Sequence, residues 1–335
     1  MSPIARERLF GIEHAFDSPA TALVLTMVVA VLLLVPIIFW FVARAVGADP
    51  GRLRNWWRRN LARLVLVALF ALPILAGAFW AIVLVGVLSL FCYREYARAT
   101  GLFREKLISL LVALTILAIH LTVLDNWYNA FVALFSLAIA AIGGVALVQD
   151  RPMGYIQRVA LGTFAFVLFG SCLGHLGFLA NSSEYRPLMI FFVGAVEIND
   201  VGAFVIGRTL GRRQLCPNTS PDKTVAGAAG GIVFTTVFVF VAGRLVFAET
   251  LLQHWLHGLI LGVLVSVAAQ LGDLMLSSIK RDLGLKTMDV IVPGHGGLLD
   301  HIDSLLLAAP VLFHYVNYYV GVSAGQPICI FTGAR

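Results

Sequence analysis

The sequence predicts an all-α, polytopic integral membrane protein of about 8–10 transmembrane helices, and three observations carry that expectation. Of 335 residues, 60% are hydrophobic and 13% charged, against roughly 25% charged in an ordinary soluble domain. Apolar runs of about 18 or more residues recur along nearly the whole chain, each long enough to cross a hydrocarbon core of roughly 30 Å as a helix. Short alternating segments with one polar face do not occur, which argues against a β-barrel.

Apolar runs and the charges that interrupt them mark about ten spans. They lie at roughly 20–45, 61–76, 78–93, 107–124, 130–148, 157–180, 187–206, 229–248, 255–276 and 304–322. The second and third are separated only by the Pro and Gly of "ALPILAGAFW", so a single re-entrant unit there would reduce the count to nine or eight. The leading stretch "MSPIARERLFGIEHAFDSPA" is too long and too acidic for a signal-peptide head, so the first span is expected to remain in the mature protein. Cys92, Cys172, Cys216 and Cys329 are dispersed without a CxxC pair and read as packing thiols. His120 and His175, alone within spans, read as satisfied helix contacts.

Charge orients the spans. If "DPGRLRNWWRRN" faces the cytosol, alternation puts the loops at 94–106, 150–158, 208–223 and 280–303 on the same side. Those loops and their flanks hold nineteen of the 24 Lys and Arg residues, leaving Arg6, Arg8, Arg186, Arg244 and Arg335 opposite, as the positive-inside rule requires. The net charge of +6 is therefore topological, together with affinity for anionic headgroups, and no nucleic-acid partner is expected. Trp56 and Trp57 beside Arg58 and Arg59 suit an interfacial anchor.

Two regions differ in character. Residues 1–186 are expected to be scaffold, with lipid access and dimer contacts; residues 187–335 carry acids at membrane depth and polar loops on the cytosolic side. Glu197 and Asp200, three apart on one helical face, read as cavity-lining or as partners of an arginine such as Arg208, because a carboxylate inside a span is costly. The first polar block runs from Asn199 to Gly231, with Arg208, Arg212 and Arg213 leading through an "SPDKT" turn (Ser220, Lys223, Thr224) into glycines. Cationic side chains and backbone N–H groups freed by glycine suit a polyphosphate. The second, "GDLMLSSIKRDLGLK", puts Asp273 and Ser277 four apart on a helical face that Lys280 borders. The third, "VPGHGGLLDHIDS", follows a flexible turn with Asp300 and Asp303. Carboxylates from separate segments make an all-oxygen site suited to Mg²⁺.

The run Ser277–Ser304, "SSIKRDLGLKTMDVIVPGHGGLLDHIDS", closely resembles the signature of the phosphatidate cytidylyltransferases, or CDP-diacylglycerol synthases. It matches with every spacing preserved at Ser277, Lys280, Arg281, Lys286, Pro293, His295, Gly296, Gly297, Asp300 and Asp303. "GRTLGRRQL", "SPDKT" and "QLGDL" upstream also look like that family's, so the resemblance covers about the last 150 residues and the earlier spans only in hydropathy. Thr287 stands where the family has Asp, Asp289 where it has a small residue, His301 where it has Arg, and Ala226 where Glu usually follows the "SPxKT" segment. His301 replaces a permanently charged fork by an imidazole largely neutral at pH 7.

The resemblance implies that the phosphate of phosphatidic acid attacks the α-phosphorus of CTP, giving CDP-diacylglycerol and pyrophosphate. It implies Mg²⁺ held by Asp273 and Asp300, with a second monovalent cation such as K⁺ beside the aspartates. Lys280, Arg281 and His295 are expected at the reacting phosphates. Arg208, Ser220, Lys223, Thr224, Ser277, Lys286, Gly296, Gly297 and Asp303 are expected to bind substrate. Membrane lipids and a homodimer are the other expected partners, in a bacterial inner membrane with the site facing the cytoplasm. Two other readings stay open from the residues: an ion-coupled transporter using Glu197, Asp200 and Asp273, and a catalytically weak homologue acting on another phospho-lipid.

Overall fold

The computed structural model describes residues 2–45, 50–288 and 297–333. A short helix α1 (Pro3–Phe10) precedes α2 (Pro19–Ala45), α3 (Pro50–Ala76), α4 (Ala78–Thr100), α5 (Lys106–Leu124) and α6 (Tyr128–Val148). Then come α7 (Tyr155–Ala165), a π-helical stretch (Phe166–Cys172) and α8 (Leu173–Phe178), which together cover the single span expected at 157–180. Helix α9 (Tyr185–Leu210) leads into a hairpin of β1 (Gln214–Cys216) and β2 (Ser220–Thr224), followed by α10 (Val225–Val246), α11 (Trp255–Asp282) and α12 (Leu299–Tyr319).

All ten expected spans are helical, and among the described residues eight helices are by themselves long and apolar enough to cross a membrane. The apolar part of α3 is the shorter Leu64–Ala76. Helix α12 opens with Asp300, His301 and Asp303, which temper its hydropathy. The chain is thus an all-α, multi-pass membrane protein. Between α3 and α4 the break is a single residue: Gly77 has φ 147°, and a Cβ there would lie 2.3 Å from the Leu9 carbonyl oxygen. Only glycine fits that turn against α1.

Helix α5 shows how a hydrocarbon-rich sequence sorts itself in lipid. Leu107, Leu110, Leu114, Leu117 and Leu121 recur at three- and four-residue intervals and are exposed, while Ile108, Val112, Ile116, Ile119 and Val123 on the other face are buried. Both faces are apolar because one meets lipid and the other meets protein. Helix α9 is the extreme case, buried on nearly all sides from Tyr185 to Gly202. It packs on α10 through small residues: a Cβ on Gly230 would sit 2.5 Å from the Ile206 Cβ, and one on Gly227 2.7 Å from the Ala203 carbonyl oxygen. Without a hydrophobic drive between helices in lipid, such close backbone approach is what makes them associate. His120 is satisfied as expected, with Nδ1 2.9 Å from the Ile116 carbonyl oxygen and Nε2 3.3 Å from Ser89 Oγ. His175 bonds the Ser171 carbonyl through Nδ1, whereas its buried Nε2 has no hydrogen-bond partner among the described residues. All four cysteines are free thiols.

The segment after α12 is strapped to the α5–α6 connection. Asp125 accepts from the Phe331 N–H (2.6 Å) and Thr332 N–H (3.3 Å) through Oδ1, and from the Thr332 hydroxyl (2.6 Å) through Oδ2. Hydrogen bonds to a charged acceptor contribute about 1.5–3 kcal/mol each. Asp125→Ala is therefore expected to speed chymotryptic cleavage after Phe331 by at least about tenfold while the helical core stays intact, read as the rate of loss of the tail on mass spectra.

Candidate active site

At one end of the bundle the hairpin packs against α10 and α11, α11 runs beside α12, and the end of α4 meets the start of α12. Sequence reasoning treats "SPDKT" as a turn; it is instead the second hairpin strand, with Gln214 opposite Thr224 and Cys216 opposite Ser220. Strand pairing absorbs the backbone groups of an otherwise polar connection, and Pro221 is tolerated because each strand of a two-stranded hairpin is an edge. Thr224 ends the strand and caps α10, its Oγ1 accepting from the Gly227 N–H at 3.0 Å. Gly211 brings the chain back against this cap, since a Cβ there would lie 2.5 Å from Thr224 Oγ1.

The hairpin thereby presents Lys223, whose Nζ is 2.5 Å from Asp273 Oδ2. On α11, Ser277 Oγ donates to Asp273 Oδ1 at 3.3 Å, as expected of residues four apart. One turn on, Lys280 Nζ donates to Asp300 Oδ1 at 2.6 Å. Asp300 Oδ2 accepts from the Met288 N–H (3.2 Å) and the Gly297 N–H (3.0 Å), so one carboxylate gathers both flanks of the glycine motif. Arg281 turns to the hairpin, its Nε donating to the Thr219 carbonyl at 3.2 Å.

Asp303 is buried, and its Oδ1 accepts from the N–H and hydroxyl of Ser304. It lies within electrostatic reach of the Asp273 and Asp200 carboxylates and the Lys280 and Lys223 amines. A close helix crossing produces this proximity: a Cβ on Gly272 would stand 2.5 Å from the Asp303 carbonyl oxygen. Beneath the acids, Asn199 Oδ1 accepts from Ser266 Oγ (2.6 Å) and Gln270 Nε2 (3.3 Å), while Asn199 Nδ2 donates to Asp200 Oδ1 (3.2 Å). Full pairing is what a buried polar network needs in order to persist.

Of the residues expected from sequence, Lys223, Asp273, Ser277, Lys280, Asp300 and Asp303 converge. Gly297 bonds Asp300, and Ser220 lies on β2. Arg208 and Lys286 are exposed, as is Arg281 apart from its hairpin contact. Glu197 is buried within α9, one turn before Asp200. His295 and Gly296, and with them Asp289, lie outside the described residues. Among the described residues, no three acid, histidine or cysteine side chains stand ready-arranged around one ion. Asp273 and Asp300 each hold an amine instead.

Sequence reasoning missed Glu95. It is fully buried near the end of α4, and accepts from the Leu298 N–H (Oε1, 2.8 Å) and the Leu299 N–H (Oε2, 2.9 Å) at the start of α12. The signal was available: an acid at the end of an apolar run is expensive enough to need a purpose.

Comparison with known proteins bears on this arrangement. A model described as the cytidylyltransferase family matches residues 57–319. The chain is 29% identical over 277 residues to the uncharacterized protein YnbB of Escherichia coli strain K12, covering 81% of this chain and 88% of that one. It is 33% identical over 219 residues to the phosphatidate cytidylyltransferase of Bacillus subtilis strain 168, covering 62% of this chain and 79% of that one. With the phosphatidate cytidylyltransferase of Aquifex aeolicus strain VF5 it shares 36% identity over 177 residues, covering 52% of this chain and 62% of that one.

Proposed function

The chain belongs to the cytidylyltransferase family, a family of nucleotidyltransferases, and from that premise we propose that it transfers the cytidylyl group of CTP to the phosphate of phosphatidic acid. The transporter reading falls away with family membership. The observation that carries the proposal is the pair of lysine–carboxylate contacts, Lys223 with Asp273 and Lys280 with Asp300, drawn from three separate segments to one place.

In the proposed reaction a phosphate oxygen of the lipid forms a bond to the α-phosphorus of CTP as the bond from that phosphorus to the bridging oxygen of the β-phosphate breaks. CDP-diacylglycerol and pyrophosphate result. A phosphomonoester with a second pKa near 6 is already mostly a dianion at pH 7, so the attacking oxygen needs no general base. Catalysis is then a matter of positioning and charge neutralisation.

The donor set suits Mg²⁺: Asp273, Asp300 and Asp303 offer only carboxylate oxygens, and these three acids outnumber the two amines beside them. Asp273 and Asp300 would hold the ion, which when bound supplies polarisation of a phosphate oxygen. Lys223 and Lys280, already beside these carboxylates, are the chain's own cations for the triphosphate and departing pyrophosphate. Exposed Arg208, Arg281 and Lys286 extend that positive surface toward solvent.

The substrates fix where such a site belongs. A diacyl lipid leaves the bilayer at a cost of about 0.8 kcal/mol per CH₂, whereas CTP stays in water. A site at one end of the bundle serves both, and the basic loops favour the cytoplasmic face of a bacterial inner membrane for that end. The test uses purified full-length chain, CTP labelled at the α-phosphorus, phosphatidic acid and Mg²⁺. Label is expected to enter the lipid, to stop on chelation and to resume when Mg²⁺ is restored. Other phosphomonoester lipids in the same assay identify the acceptor, and label reaching no lipid would overturn the proposal.

A further inference from the structure

We propose that Glu95 is a positioning residue that sets the place of Asp300 from the opposite half of the chain. This inference rests on the transferase reading above. The other site groups named above all lie after Glu184 in sequence, yet the start of α12 is held by a carboxylate some 200 residues earlier.

The geometry carries the point. Leu298 is the N-cap of α12 and Leu299 its first helical residue, and no side chain of their own segment caps them. Their N–H groups are among those a helix cannot satisfy internally. Glu95 offers one oxygen to each, at 2.8 and 2.9 Å, and its negative charge complements the positive end of the helix dipole. Asp300 is the next residue along. A carboxylate buried this completely is costly unless its oxygens are bonded, so the contact locks both partners. Helix α4 is a firm reference, because its other end is fixed by the Gly77 turn against α1. Asp300 thus reaches Lys280 from a backbone placed by the scaffold half.

Two acceptors are required. Glu95→Gln keeps the shape but turns an NH₂ group toward one of the two N–H donors, and Glu95→Asp is one methylene short. From the partner's side, Leu298→Pro deletes the donated hydrogen at a residue whose φ of −61° already suits proline. Because Leu298→Pro leaves Glu95 intact, it tests the contact even if a Glu95 variant fails to fold.

The experiment uses the full chain in lipid nanodiscs. In Glu95→Gln, the Leu298 and Leu299 amides are expected to exchange with deuterium about tenfold faster, the Leu299 amide likewise in Leu298→Pro, with exchange in the rest of α12 unchanged. Mn²⁺ affinity, read by electron paramagnetic resonance, is expected to fall about tenfold and kcat to fall with it, while KM for phosphatidic acid holds. The double variant should cost no more than either single one.

Unchanged exchange in both single variants would overturn the contact. Faster exchange with wild-type Mn²⁺ affinity and kcat would leave Glu95 a helix cap and overturn its positioning role. A wild-type chain that binds Mn²⁺ but transfers no cytidylyl group would refute the reaction, while exchange and Mn²⁺ affinity would still decide the role of Glu95. A wild-type chain that binds no Mn²⁺ would overturn both.

Discussion

Asp300→Asn is expected to lower transfer of label into lipid by about 10³-fold or more, since the carboxylate is proposed to help place the charge that stabilises the transition state. Asparagine keeps the shape and one acceptor for the Met288 and Gly297 amides, but it removes the charge facing Lys280. The Lys280 and Asp300 side chains are only 13% and 12% exposed, so the amine left behind is poorly solvated. Stranding one partner of a buried pair costs about 3–5 kcal/mol, and residual exposure reduces the figure here to about 2–3 kcal/mol. Adding Lys280→Met to Asp300→Asn separates the effects. Thermal unfolding should return toward wild type as the stranded charge disappears, while the transfer rate should stay low. An Asp300→Asn enzyme retaining a tenth of the wild-type rate would remove Asp300 from the metal set.

How far such a site was legible depends on the range of the contact. Asp273, Ser277 and Lys280 share a helix face by spacing alone, and Ser277 does bond Asp273. The spans were legible because bilayer thickness dictates their length, whatever they pack against. By contrast, that Lys223 faces Asp273 and Lys280 faces Asp300 depends on the crossing of helices, which periodicity does not encode. "SPDKT" reads as a turn from its composition; its partner strand "QLC" carries no signal until the hairpin closes. The acid Glu95 stood out in an apolar run, but its contacts with Leu298 and Leu299 stayed hidden because they are to main-chain N–H groups, which have no sequence identity. The network of Asn199, Ser266 and Gln270 is distributed in the same way over two helices, each residue unremarkable alone.

Helix crossing is therefore where the largest structural effect should lie, and Gly272→Ala is expected to show it. Gly272 precedes Asp273, and the added methyl would stand 2.5 Å from the Asp303 carbonyl oxygen, an atom of helical backbone that cannot rotate aside. Overpacking of this kind costs about 1–3 kcal/mol, relieved only if α12 moves away from α11. That movement separates Asp273 on one helix from Asp300 and Asp303 on the other. A displacement of about 1 Å at a reacting centre costs about 10²-fold in rate, so transfer should fall by that factor even where the chain folds. Gly144→Ala supplies the contrast. Gly144 lies exposed on α6, and among the described residues nothing beyond the helix's own local backbone comes within 4 Å of the position its added methyl would take, so alanine there should leave the rate unchanged and stabilise the helix by about 0.5–1 kcal/mol. Rates and unfolding midpoints measured side by side decide the matter. If the two alanine variants behave alike, the distance between α11 and α12 does not set the geometry of the acids; if only Gly272→Ala loses rate, the missing side chain at this crossing is as much a part of the site as the carboxylates it brings together.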